Sequence, residues 1–185
     1  METSKIQIWN RTTEAIYKNV MLFAIAGMAA AFFNMFLVLG WLGNVCNVLV
    51  CVGYIAFYLR LKDMEALVED VDAPAVKKLT IGVLLYILAL MLNAFPALVS
   101  GILFALAVVA SSVFMLLGYI ALMKSETFPG KDGMKLLFIA MIIGIVGGVL
   151  NIIPLIGSIL GGICYIAEFV LVLLGWKKVA TPITE

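Results

Sequence analysis

The stretch KLLFIAMIIGIVGGVLNIIPLIGSILGGICYIAEFVLVLLGWK, residues 135–177, decides the fold. Between its two lysines it holds a single charged residue, Glu168. The first arm, Leu136 to Asn151, is apolar, with Ala140, Gly144, Gly148 and Asn151 recurring at three- and four-residue steps. That spacing gathers small residues on one helical face, where a second helix can approach closely. Pro154, which lacks a backbone N–H, and Gly157, which relaxes the backbone, then break the helix. The second arm, Ser158 to Trp176, is apolar again. The stretch reads as a transmembrane helical hairpin with a carboxylic acid in its second arm. Gly144, Gly148, Gly157 and Gly161 are expected to form the close helix contact.

Composition supports a membrane class. Charged residues make up 12% of the chain, about half of the roughly 25% typical of a soluble domain. The mean hydropathy is +1.19. A net charge of +1 without a basic stripe excludes nucleic acid as a partner class. Cys46, Cys51 and Cys164 all lie in apolar stretches without a CxxC pair, and the chain has no histidine. Buried, inert thiols are expected, with no disulfide framework, metal site or cofactor.

Residues 1–18 alternate basic and acidic side chains and lack a signal-peptide cleavage pattern. Ile6, Trp9, Thr13 and Ile16-Tyr17 share one helical face, which suggests a short helix lying at the membrane surface; a frayed tail is the alternative. Residues 19–59 are uncharged and supply two spans at about 1.5 Å per residue across a core of about 30 Å. The turn is expected at Leu39 to Asn44. Residues 60–78 are strongly charged, yet Leu61, Met64, Leu67-Val68 and Val71 keep helical spacing. The second span is therefore expected to run on out of the membrane as an amphipathic helix. Asp72-Ala73-Pro74 signals the start of the next helix. Residues 79–123 form a second hairpin turning at Asn93 to Ala97. Residues 124–134 form a polar loop with turn signals at Pro129-Gly130 and Asp132-Gly133. Residues 135–176 are the third hairpin and 177–185 a tail. The expected fold is all-α and polytopic, with six transmembrane helices as three tandem hairpins.

All 12 Lys and Arg residues fall before the first span, after the sixth, or between spans two and three or four and five. The positive-inside rule then puts both termini and both charged loops in the cytoplasm, as expected for a multi-pass protein of the cell (inner) membrane. The hairpins also look like a parallel internal repeat. Lys18 to Asn34, Lys78 to Asn93 and Lys135 to Asn151 are similarly spaced, and Asn93-x-x-Pro96 matches Asn151-x-x-Pro154. Gly53-Tyr54-Ile55-Ala56 matches Gly118-Tyr119-Ile120-Ala121, with Gly175-Trp176 a weaker third. In length and triple-hairpin layout the chain loosely resembles bacterial stress-associated six-helix membrane proteins of the HdeD type. That resemblance rests on layout alone and implies a role for no residue.

Glu168 breaks the pattern, because every other charged residue lies outside the expected spans. It lies about 12–14 Å along its helix from the cytoplasmic end at about 1.5 Å per residue, too deep to reach water by snorkelling. An ionised acid near the bilayer centre costs roughly 3 kcal/mol or more, so the protonated form is the cheaper state. Tyr165 shares its helical face, and Tyr86 lies at similar depth counted from Lys78, which makes Tyr86 the expected hydrogen-bonding neighbour. The site is thus either a proton or cation site or a structural polar contact. Ser111 and Ser112 are expected to serve as packing hydroxyls. No catalytic motif appears, so the chain is read as non-enzymatic. Two functions remain. The first is intramembrane binding of a protein or lipid partner, as an accessory subunit or a stress or immunity protein, with the bilayer and a membrane protein or a second copy as partners. The second is a small proton- or cation-coupled transporter or channel using Glu168.

Overall fold

The structure, a computed structural model, describes residues 3–36, 39–93, 98–150, 153 and 156–183. Within them lie six helices: α1 (Thr3–Asn34), α2 (Gly40–Glu65), α3 (Ala73–Asn93), α4 (Leu98–Lys124), α5 (Lys131–Leu150) and α6 (Gly157–Val179). Each contains a segment long and apolar enough to cross a membrane. The fold is that of an all-α, multi-pass membrane protein.

Consecutive helices pair most extensively, α1 with α2, α3 with α4, and α5 with α6. Packing between α2 and α3, α4 and α5, and α6 and α1 joins the pairs. Among the described residues each helix therefore packs on two others, and the six close into a ring. Large apolar side chains such as Val48, Leu84, Leu106 and Ile163 are exposed on its outside, where lipid would take the place of a core.

The ring is filled unevenly. The largest fully buried side chains, among them Trp176, Phe23, Phe128, Ile16, Leu61 and Leu122, all lie near the ends that carry the charged loops. There Trp9 meets Phe128 edge-on with ring centroids 5.6 Å apart, and Phe57 of α2 meets Trp176 of α6 at 5.2 Å. Towards the other end, the buried side chains among the described residues include the small ones of Ala30, Ala31, Ala89 and Ala107 as well as Val50 and Ile87. The bundle is plugged at its charged end.

Three local expectations change. α1 is one helix of 32 residues rather than a surface helix followed by a span. No proline or glycine interrupts it before Gly27, so nothing stops propagation. The face carrying Trp9, Thr13 and Ile16 is buried in the protein's own plug, not laid on the membrane. The first turn comes earlier than Leu39 to Asn44: α1 ends at Asn34, Met35 and Phe36 turn, and Trp41 to Asn44 belong to α2. Gly43 is used for close approach, with the Asn34 side chain packed where a Cβ would stand. Asp132-Gly133 is not a turn but the first turn of α5, where an acid suits the positive end of the helix dipole. Gly133 there admits the Gly175 carbonyl of α6. The expected turn residues Asn151, Pro154 and Ala94 to Ala97 lie outside the described residues.

Polar contacts tie the charged end together. α2 runs on to Glu65 with Leu61 and Met64 buried, although Val71 is 71% exposed. α3 begins at Ala73, with the Asp72 carbonyl accepting from Ala75 N–H and Val76 N–H. The Asp72 carboxylate, 4% exposed, accepts a 2.7 Å hydrogen bond from the Thr127 hydroxyl, which joins the two charged loops. Asn10 exchanges two hydrogen bonds with the Ile183 backbone and holds the tail on α1. Thr127→Val leaves Asp72 without that donor and is expected to cost about 1.5 kcal/mol, read as an earlier midpoint in SDS unfolding. An unchanged midpoint would show that the clasp contributes nothing.

Candidate functional site

The site is built on α6, where a helix of apolar residues carries Tyr165 and Glu168 one turn apart. Glu168 is half-buried and points towards α5. Its carboxyl group lies over Gly144, in the volume a side chain there would need, with Cδ 2.5 Å from an ideal Cβ position. Any larger residue at 144 would displace the acid. One residue further along α6, the Phe169 ring occupies the equivalent space over Gly27 of α1. The neighbouring positions thus grip helices on either side and leave α6 little freedom to rotate.

The charge of Glu168 is also felt by tyrosines of other helices. Tyr54 of α2, Tyr86 of α3 and Tyr119 of α4 all lie within electrostatic range of its carboxyl group. The Tyr54 and Tyr86 rings are 4.8 Å apart at centroid, and Tyr54 stacks on Phe23 of α1 at 4.2 Å. Tyr165 interacts in turn with Tyr86. Of the residues drawn together in the sequence by depth and helical face, Tyr86 lies within electrostatic range of both Glu168 and Tyr165. No described residue donates a hydrogen bond to Glu168, so Tyr86 is its electrostatic neighbour and not its hydrogen-bond donor.

Tyr54 and Tyr119 were not read from the sequence as part of this site. Their matching Gly-Tyr-Ile-Ala segments were visible, but only ring closure brings α2 and α4 to face α6. Cationic side chains stay out of the cluster, since all Lys and Arg residues lie outside the apolar core of the spans. The contact seen for its carboxyl group is with Gly144 of α5. Among the described residues no group of three His, Cys, Asp or Glu side chains lies together to hold a metal ion.

The other expected packing residues divide. Gly157 and Gly161 are buried. Gly148 is half-buried, and a Cβ there would meet only the Tyr165 hydroxyl at 3.5 Å, an ordinary contact. The close approach falls instead on Gly147, where a Cβ would stand 2.8 Å from Cys164 Cβ and 3.3 Å from the Gly161 carbonyl oxygen. One residue turns a helix by about 100°, which moves the contact from one glycine of the pair to the other. Asn34 ends α1 with its side chain against Gly43. Asn93 ends α3. Ser111 donates a 2.7 Å hydrogen bond to the Gly82 carbonyl across the α3–α4 pair, and Ser112 bonds back to Val108, so both are packing hydroxyls. The three cysteines are free thiols.

The fold and site define a multi-pass helical membrane protein with an acid among tyrosines inside its ring. The chain matches no family model, no curated protein and no solved structure.

Proposed function

We propose that this is a non-enzymatic protein of the cell membrane whose interior acid, Glu168, binds a proton or a cation. The observation that carries the reading is a single acid deep in an apolar span, with Tyr54, Tyr86 and Tyr119 of three other helices within electrostatic range of it. Binding of a protein or lipid partner is the less favoured function. The sparse polar residues of the spans speak for such binding, and Glu168 is the exception among them. An acid at this depth is costly to keep, and Gly144 opposite makes room for it. A hydrophobic carbodiimide, which adds to protonated carboxyl groups in apolar surroundings, tests the site. Mass spectrometry should find the adduct on Glu168, and a protein modified only at its loop acids would contradict the reading.

We further propose that both termini and both charged loops face the cytoplasm, on the distribution of Lys and Arg. Cysteines introduced at positions 3, 68, 128 and 183 should resist an impermeant maleimide in intact cells and react once the membrane is opened. Labelling of any of the four from outside would overturn this orientation.

The three hairpins are read as copies of one unit. Gly53, Gly118 and Gly175 of the second arms each pack on their own first arm, against Phe23, Leu79 and Leu137. The next residues, Tyr54, Tyr119 and Trp176, are all buried. Stepping seven residues along each arm from these pairs, Gly144 and Glu168 of the third unit correspond to Tyr86 and Ser111 of the second. The bulky side chain sits on opposite arms in the two units. Tyr86 is thereby left to face the acid that its own unit lacks.

A further inference from the structure

We propose that a groove between α1 and α2, at the charged end of the bundle, holds the phosphodiester head group of an anionic phospholipid on Arg60 and Lys62. The groove is open, with a volume of about 510 Å³, and is lined by Asn19 of α1 and by Ala56, Leu59, Arg60, Lys62 and Asp63 of α2. Arg60 is the first charged residue after the uncharged run that begins at Asn19. The groove therefore straddles the level at which the chain leaves the hydrocarbon. Ala56 and Leu59 line its apolar side, and the charged groups follow within two turns of α2. A phospholipid has the same order, with acyl chains on one side of the boundary and phosphate on the other.

The charges choose the class of lipid. Arg60 Nη1 meets Asp63 Oδ2 at 3.0 Å, with both side chains about half exposed. That contact occupies one corner of the guanidinium, whose other N–H donors stay available to a phosphate. Lys62 forms no ion pair among the described residues, and its Nζ sits 5.2 Å from the centre of the Tyr58 ring. Two cations against one acid leave a single positive charge, which matches the single negative charge of a phosphodiester. The Asn19 amide adds a donor on the facing wall. About one turn deeper, Leu22 of α1 and Val52 and Ile55 of α2 are 44%, 52% and 42% exposed. They continue the two walls as a track for an acyl chain, which favours a lipid over a free phosphate. Basic pockets between membrane helices suit acidic lipid head groups for this combination of reasons. None of these residues belongs to the interior site at Glu168.

The test is native mass spectrometry of the intact protein in mild detergent, with phosphatidylglycerol and zwitterionic phosphatidylethanolamine of identical acyl chains added in turn. Wild type should hold a first phosphatidylglycerol roughly tenfold or more tighter than phosphatidylethanolamine. The double variant Arg60→Gln with Lys62→Gln, altered only at exposed side chains, should fold as wild type does and lose that preference. Lys177→Gln with Lys178→Gln removes the same charge from the exposed end of α6 and should keep it. Glycerol phosphate, which offers the phosphate without acyl chains, should not displace the lipid. Equal affinity of wild type for the two lipids would overturn the site, as would a preference that survives loss of Arg60 and Lys62. An equal loss in the α6 variant would also overturn it, by showing that surface charge alone attracts the lipid. Displacement by glycerol phosphate would overturn the lipid assignment and leave a simple anion site.

Discussion

Gly147→Leu is expected to cost about 3 kcal/mol of stability in detergent, while Gly148→Leu should cost less than about 1 kcal/mol. The two residues are neighbours in sequence and chemically identical, so composition and propensity cancel in the comparison. At Gly147 the first added carbon already meets Cys164 Cβ at 2.8 Å, and the Gly161 carbonyl closes the other side at 3.3 Å. Backbone cannot step aside as a flexible side chain can, and α5 must move off α6. Overpacking of this kind typically costs about 1–3 kcal/mol, and four added carbons against backbone belong at its upper end. At Gly148 the added carbon makes an ordinary 3.5 Å contact with a hydroxyl. SDS titration followed by circular dichroism measures both. Equal losses would mean that the α5–α6 register differs from the one described.

Glu168 itself should give an unusual stability series. Glu168→Lys should be the most damaging, at roughly 3 kcal/mol or more, since a cation with no acid beside it would be held at the depth of the tyrosine layer. Glu168→Gln should fall close to wild type. Glu168→Leu should be neutral or stabilising by about 1 kcal/mol, because no hydrogen bond to the carboxyl group is seen among the described residues and removing a half-buried polar group that lacks one relieves a cost. A structural acid behaves in the opposite way, with leucine clearly worse than wild type. Loss of stability in Glu168→Leu, measured in the same SDS titration, would therefore return Glu168 to a packing role and remove the reason to look for a ligand.

Much of the fold was legible because the bilayer imposes lengths. Uncharged runs of about 40 residues, bracketed by lysine and arginine, leave room for two spans and a tight turn. Glu168 was legible for the same reason, as a charge inside such a run. The faces of the helices were harder to assign. In a soluble protein the polar side of a helix marks its outside, but here lipid and interior are both apolar. Choosing Gly147 over Gly148 needs the register between α5 and α6, which local periodicity does not carry. Ring closure, through α6 against α1, joins the two ends of the chain and has no local signal at all. Tyr54 and Tyr119 were seen as marks of a repeat, and became part of the site only when closure turned them inward. The boundaries that shifted have local causes. The pair Gly40 and Gly43 looks like a turn, and Gly43 instead lets α2 pack on Asn34.

The central claim is an acid held inside the membrane ring to bind a proton or cation, and infrared spectroscopy of the protein in lipid bilayers tests it most directly. At neutral pH and without ligand, wild type minus Glu168→Gln should show the carbonyl stretch of a protonated carboxylic acid, unaffected by an impermeant buffer on the loop side. A difference spectrum that shows only an ionised carboxylate, exchanging freely with bulk water, would contradict the account.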